Sequence, residues 1–161
     1  MMTSKWLLLC LMLLPATGTM ATDAYTYASL RHREVNWRSG PGERYPIKWI
    51  YQEQGYPVQV LDTYDNWRQV QEADGSMGWV HKNMLSPHRT VLVQEENALV
   101  TKPDETAPTV AIVQPGTIGK IVRCPAEMPY CLLAFSYEGK EVKGWFPRNS
   151  VWGVEVGEEV D

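Results

Sequence analysis

No apolar run in this chain is long enough to cross a membrane. The longest is nine residues, Trp6 to Leu14, and it stops at Pro15, whereas a spanning helix needs about 20. Histidine is scarce: His32, His81 and His88 are the full set, and no two form a helical His-x-x-x-His pair. No glycine-rich stretch ends in Gly-Lys-Ser/Thr, so the backbone cradle that grips nucleotide phosphates is missing. Acidic residues outnumber basic ones 19 to 15, poor material for neutralising nucleic-acid phosphates. No stretch is left over to house a separate catalytic domain, and hydrolytic chemistry needs a nucleophile with a base, paired carboxylates or a metal. These gaps predict a protein that is not an enzyme, holds no metal or cofactor and binds no nucleic acid. His81 follows Val80 in a strand and is expected to be an ordinary outward histidine; a metal shared by His81 and His88 is the weaker alternative.

The short apolar run follows Lys5 and leads into small and polar residues, ATGTMATDA. A positive start, a short apolar centre and a small-residue exit describe a secretory signal peptide. We place it over residues 1–24, with cleavage after Ala21 or Ala24. Cys10 follows Leu9 inside the apolar run rather than a small residue, so no lipid or other stable membrane anchor is expected after cleavage. The expected location is periplasmic or secreted. Cys124 and Cys131 then remain, an even number in an oxidising compartment. They flank PAEMPY, whose two prolines favour a turn between strands. A disulfide between them is expected, with two free thiols as the alternative.

What the chain does have is strands. Helical periodicity is almost absent. Short runs rich in β-branched and aromatic residues, such as KWIYQ, YPVQVLDTY, NWRQVQE and MGWVH, alternate with Asp, Asn and Gly turn signals. The second half repeats the rhythm, so the fold class is all-β, either one sandwich or two small barrels. An internal repeat decides between them. Pro41 and Pro46 recur as Pro103 and Pro108, and GWVHKNML recurs as GWFPRNSV. We therefore expect two small barrels in tandem, residues 28–94 and 95–161.

Within the first copy, strand alternation puts Val35 and Trp37 on one face and Asn36 and Arg38 on the other, with Trp37 in the core. Gly40 and Gly42 bracket Pro41 where the chain reverses, and glycine permits positive φ there. Gly78 and Gly144 precede a tryptophan in a strand, which predicts a bulge or a close backbone approach. Trp79 and Trp145 are expected to fill one barrel wall each. Trp49 and Tyr51 share a face opposite Ile50, and either face could be core.

The spaced elements Asn36-Trp37-Arg38-Ser39-Gly40-Pro41, Tyr45-Pro46-Ile47, Gly55, Trp67-Arg68-Gln69-Val70 and Gly78-Trp79-Val80 resemble bacterial SH3-like domains. The chain is similar to exported tandem SH3-like proteins of Gram-negative bacteria, a likeness that brings no assigned activity with it. It covers Val35 to Ser86 and continues more loosely through the second copy, where Asn36, Arg38, Gly40 and Tyr45 become Ala98, Val100, Lys102 and Ala107. The resemblance implies peptidoglycan stem peptides or envelope proteins as partners. Exposed aromatics beside charges suit such strands, and the candidates are Arg38, Arg44, Tyr45, Tyr51, Tyr64 and Trp67. The reading is a non-catalytic envelope-binding module, with a binding role assigned first to the first copy. The alternative is a rigid adaptor docked on another envelope protein, because SPHRTVLVQEENALV holds no flexible linker. The segment from Arg31 to Lys48 is locally basic and the tail GVEVGEEVD acidic, so the two are expected to attract each other.

Overall fold

The computed structural model describes residues 26–161; the expected leader and its cleavage sites lie outside them. Among the described residues every regular element is a strand, apart from two 3-10 turns at Lys82–Met84 and Arg148–Ser150. The all-β class expected from the alternating runs is what forms. The turn residues act as their chemistry dictates: Asp65, Gly75 and Gly139 all take positive φ at hairpin tips.

The first sheet contains β1 (Thr26–Leu30), β2 (Val35–Arg38), β3 (Ile47–Tyr51), β4 (Pro57–Tyr64), β5 (Trp67–Gln71), β6 (Met77–His81) and β7 (Leu85–Ser86). The second contains β8 (Thr90–Val93), β9 (Asn97–Val100), β10 (Thr109–Val113), β11 (Ile118–Arg123), β12 (Tyr130–Tyr137), β13 (Lys140–Pro147) and β14 (Val151–Trp152). The strand orders are β3-β2-β6-β5-β4-β1-β7 and β10-β9-β13-β12-β11-β8-β14, the same order shifted by seven strands. The sheet changes between Ser86 and Thr90. The boundary expected after Gln94 is therefore too late: Thr90–Val93 pairs with β11 and β14 of the second sheet. An apolar strand lying next to a junction carries no mark of which sheet it will join.

Each sheet surrounds its own cluster of buried side chains. The first is Leu30, Val35, Trp37, Val58, Val70, Val80 and Leu85, contributed by strands from across the sheet order. Trp37 is fully buried at its centre, as expected, stacked on Trp49 at 5.4 Å and tilted against Tyr51 at 4.9 Å. The face of β3 carrying Trp49 and Tyr51 is thus the inner one, and Ile50 is exposed. The second cluster holds Val91, Leu99, Leu133, Phe135, Phe146 and the Cys124–Cys131 disulfide, which forms as expected. Leu99 occupies the place of Trp37, and both phenylalanines of the chain have moved here.

Two expectations about tryptophan and glycine need correction. Trp79 and Trp145 fill no core; each is half-buried, while the neighbouring Val80 and Phe146 point inward. The inner position before each tryptophan belongs to Gly78 or Gly144. A Cβ on Gly78 would fall inside the Trp37 indole, and one on Gly144 would lie 2.7 Å from Leu99 Cγ. The close approach is real, but the ring it admits comes from the neighbouring strand. Gly40 and Gly42 also differ from expectation, since neither has positive φ. Gly40 is needed because the Tyr45 ring lies over it, 2.5 Å from where a Cβ would be.

The units are joined by short polar contacts. Ser29 Oγ donates to the His88 carbonyl at 2.7 Å and Thr90 Oγ1 to the Gly55 carbonyl at 2.7 Å. Gly153, at φ +120°, sits so close to the junction that a Cβ would meet the Thr90 carbonyl at 2.5 Å and Pro57 Cβ at 3.3 Å. The acidic tail does fold back, but onto other partners than the segment from Arg31 to Lys48. Glu158 takes both Nη atoms of Arg89 (2.6 and 3.0 Å), and Glu155 accepts from the Tyr27 hydroxyl at 3.0 Å. Val160 pairs in both directions with Cys124.

Candidate functional site: two equivalent grooves

The loop between β2 and β3 is closed by three backbone bonds: Ser39 N to Pro46 O, Gly42 N to Gly40 O, and Tyr45 N to Gly42 O. Arg38 braces it from below, its Nη1 donating to the carbonyls of Glu43 (3.0 Å) and Tyr45 (2.8 Å). Arg44 lies over the Tyr45 ring, 5.2 Å from its centroid, and its hydrogen bond to the Tyr45 hydroxyl is the main cause that raises the Arg44 pKa. Beside this loop, antiparallel register sets Trp67 opposite His81, and the two rings meet edge to face at 5.4 Å. His81 Nδ1 accepts from Asn83 N at 3.3 Å, which orients the imidazole. The space enclosed is a groove of about 270 Å³ lined by Glu34, Asn36, Arg38, Glu43, Trp67, His81 and Met84.

The same place in the second unit is also a groove. Tyr130 faces Pro147 across β12 and β13, as Trp67 faces His81. Ala98, Val100 and Glu105 stand where Asn36, Arg38 and Glu43 stand. The loop above closes with the matching bonds, Thr101 N to Pro108 O, Asp104 N to Lys102 O and Ala107 N to Asp104 O. This groove measures about 660 Å³, and its far wall adds Met128 and Pro129 from the disulfide hairpin and Val156 from the tail. Arg148 is buried under it. Its Nη atoms donate to the carbonyls of Glu155, Glu158 and Pro125, which locks tail and hairpin into one wall.

Of the six candidate binding residues, the structure brings only Arg38 and Trp67 into one groove. Arg44 and Tyr45 sit at the loop tip. Tyr51 is a core neighbour, packed on Trp37 and Tyr56, and Tyr64, the cross-strand partner of Trp67 at the β4–β5 turn, is 62% exposed and does not line the groove. His81 is half-buried in the groove rather than an idle surface ring, and it lines a different cavity from His88. Glu34, Glu43, His81 and Met84 were not foreseen. Strand alternation groups Asn36 with Arg38, but only the cross-strand register brings Trp67 and His81 beside them.

Comparison with known proteins adds the following. No curated protein matches the chain. Two solved structures, those of NlpC1 and NlpC2 from Trichomonas vaginalis, align at 14% and 13% identity with TM-scores of 0.36 and 0.35. The alignments cover 81% and 80% of this chain but 46% and 48% of theirs, so the chain spans less than half the length of either. The family model described as the bacterial SH3 domain matches residues 31–87, the stretch that builds the first groove from Glu34 to Met84. The chain therefore carries a bacterial SH3 domain in its first unit.

Proposed function

We propose that the protein is a non-catalytic, extracytoplasmic binding module that holds a peptide segment of the cell wall in the groove of its first unit. The observation that carries this reading is the pairing of an aromatic wall, Trp67 against His81, with a charged wall of Arg38, Glu34 and Glu43 in one narrow groove. Such a wall pair gives apolar faces to a ligand strand and orients its amide and charged groups. The bacterial SH3 domain and the disulfide support placement outside the cytoplasm. The second unit, with the same strand order, is read as a diverged second copy of the first. Peptidoglycan stem peptide is the ligand class we favour.

The test is co-sedimentation of the purified protein with purified peptidoglycan. Pelleting should drop about tenfold in Trp67→Ala, the loss of a well-placed aromatic contact, while the melting temperature stays within a few degrees. A protein that stays in the supernatant sinks the wall reading, and release of soluble wall fragments sinks the non-catalytic one.

The contacts Ser29–His88 and Thr90–Gly55 favour a second reading, a rigid adaptor whose two units present one composite surface. It expects no pelleting and recovery of a single envelope protein by crosslinking.

A further inference from the structure

Two clefts flank the connection from Ser86 to Arg89, and neither has a carboxylate in its lining. One, about 700 Å³, is lined by Arg31, His88, Arg89 and Lys120, with Leu30 and Ile121 and smaller or polar residues between them. The other, about 660 Å³, is lined by Arg68, Lys82 and Arg89 together with Tyr27, Thr63 and Ser86. Ser86 and Arg89 belong to both, so the two clefts meet at one point of the chain. This is unusual charge placement for a protein with formal net charge −4.

Three acidic groups of the tail are already engaged. Glu158 is paired with Arg89, Glu155 accepts from Tyr27 and Gln59, and Asp161 stands by Arg123. The remaining cations of the clefts are far less committed. Among the described residues no carboxylate pairs with Arg31, Arg68 or Lys82, and Lys120 has only Glu141 at 3.9 Å with its own side chain 75% exposed. Arg31 is held in place through its Nε, which donates to the Leu85 carbonyl at 3.0 Å. Arg68 is held through Nη1 on the carbonyls of Asp65 and Trp67. The walls are tied by Ser29–His88 and Thr90–Gly55, so the clefts exist before any ligand arrives and binding need not order them.

We propose that this seam binds a linear polyanion, a polymer of repeated carboxylates or phosphates, laid across the Ser86–Arg89 connection from one cleft into the other. A single small anion would engage the cations of one cleft only. A chain with charges at intervals can reach Arg31 and Lys120 on one side and Arg68 and Lys82 on the other. Guanidinium forks suit carboxylate and phosphate oxygens alike, so the polymer's acid group is left to the experiment. The site requires residues of both units and does not rest on the groove reading.

Binding of labelled short-chain inorganic polyphosphate and of oligoglutamate to the purified protein, followed by fluorescence anisotropy across a NaCl series, tests this. Saturable binding to at least one of them is expected, with log K falling linearly against log salt as counterions are released. Which polymer binds identifies the acid group. Arg31→Gln with Lys120→Gln, and separately Arg68→Gln with Lys82→Gln, should each weaken binding about tenfold and flatten the salt slope by about one to two. Lys82→Glu with Lys120→Glu changes two exposed side chains, gives up only the exposed 3.9 Å Lys120–Glu141 pair, and should abolish binding. Trp67→Ala should leave it unchanged, which separates the seam from the groove. Binding to neither polymer at low salt, or unchanged affinity in the Lys82→Glu/Lys120→Glu protein, overturns the proposal. An effect confined to one pair overturns the path across the connection.

Discussion

The β2–β3 loop of the first unit and the β9–β10 loop of the second close with the same three backbone hydrogen bonds, yet their side chains hold them in different ways. In the first, Arg38 reaches up to two loop carbonyls and Tyr45 folds over Gly40. In the second, Val100, Ala107 and Lys102 stand at those places, and the loop braces itself. Asp104 Oδ1 accepts from both the Thr106 amide and the Thr106 hydroxyl at 2.7 Å, an Asx-type turn. The cores differ in the same spirit: an indole centre in one, a leucine with two phenylalanines and a disulfide in the other. Backbone geometry is the property kept, and the side chains that secure it are exchangeable. Position 100 is apolar where position 38 is a bracing arginine, and the second groove sets Ala98, Val100, Met128, Pro129 and Val156 beside Glu105 and Glu127.

The sharpest way to break this comparison is at the two inner glycines. Gly78→Ala would force a methyl into the Trp37 indole, and we expect about 3 kcal/mol or more of lost stability in the first unit. Gly144→Ala meets Leu99 Cγ at 2.7 Å and the Val100 carbonyl at 2.9 Å, a smaller overlap than the one at Gly78, and should cost less, about 1–3 kcal/mol. Equal losses in denaturant titrations would show that the cores respond alike. Next in size is the Cys124–Cys131 bridge. Its removal by paired Ser substitution should cost about 2–3 kcal/mol, with amide-exchange protection lost in β9–β13 and kept in β2–β6.

Smaller effects come from pH and have opposite signs in the two units. Burial raises the pKa of Glu158, but the hydrogen bonds from Arg89 and the Glu155 amide and the charges of Arg89 and Arg148 outweigh it, leaving it below the ordinary 4.5. A depressed carboxyl contributes stability that is present above its unfolded pKa and lost as pH falls through the folded one. Glu158→Gln should therefore cost about 1.5 kcal/mol at pH 7 and almost nothing in strong acid. Glu72, at the β5–β6 turn of the first unit, is pushed the other way. Burial first, then the charge of Asp74, lifts its pKa to about 7. Its folded form keeps a proton that the unfolded chain releases above 4.5, so its contribution turns against folding as pH climbs from 4.5 to 7. Glu72→Gln should melt slightly higher than the parent at pH 8 and no differently at pH 4.

Much of this was legible beforehand. The turn residues and β-branched runs specify strands locally, and the paired prolines mark where each loop must close. Trp37 was readable as core because Val35 and Trp37 are the apolar members of an otherwise polar strand. Trp79 was misread because MGWVH offers two alternations, one with Trp79 inward and one with Gly78 and Val80 inward. Hydrophobicity alone favours the first. The second wins because the Trp37 ring, from a strand distant in sequence, already fills the space above Gly78. The groove was half readable for the same reason: Arg38 and Asn36 share a local alternation, whereas the approach of Trp67 to His81 depends on cross-strand register. The tail's return to Arg89 and Cys124 had no local signal beyond its charge.

Gly153 deserves its place at the seam because of what it lacks. With the Thr90 carbonyl and Pro57 pressing on its bare Cα, hydrogen is the largest substituent the crossing tolerates. A methyl group added there would press first on Thr90 and Val91 of β8 in its own unit, and then, at 3.3 Å, on Pro57 of the first. The bare Cα thus lets the chain after β14 pass tightly over β8 while it touches the first unit.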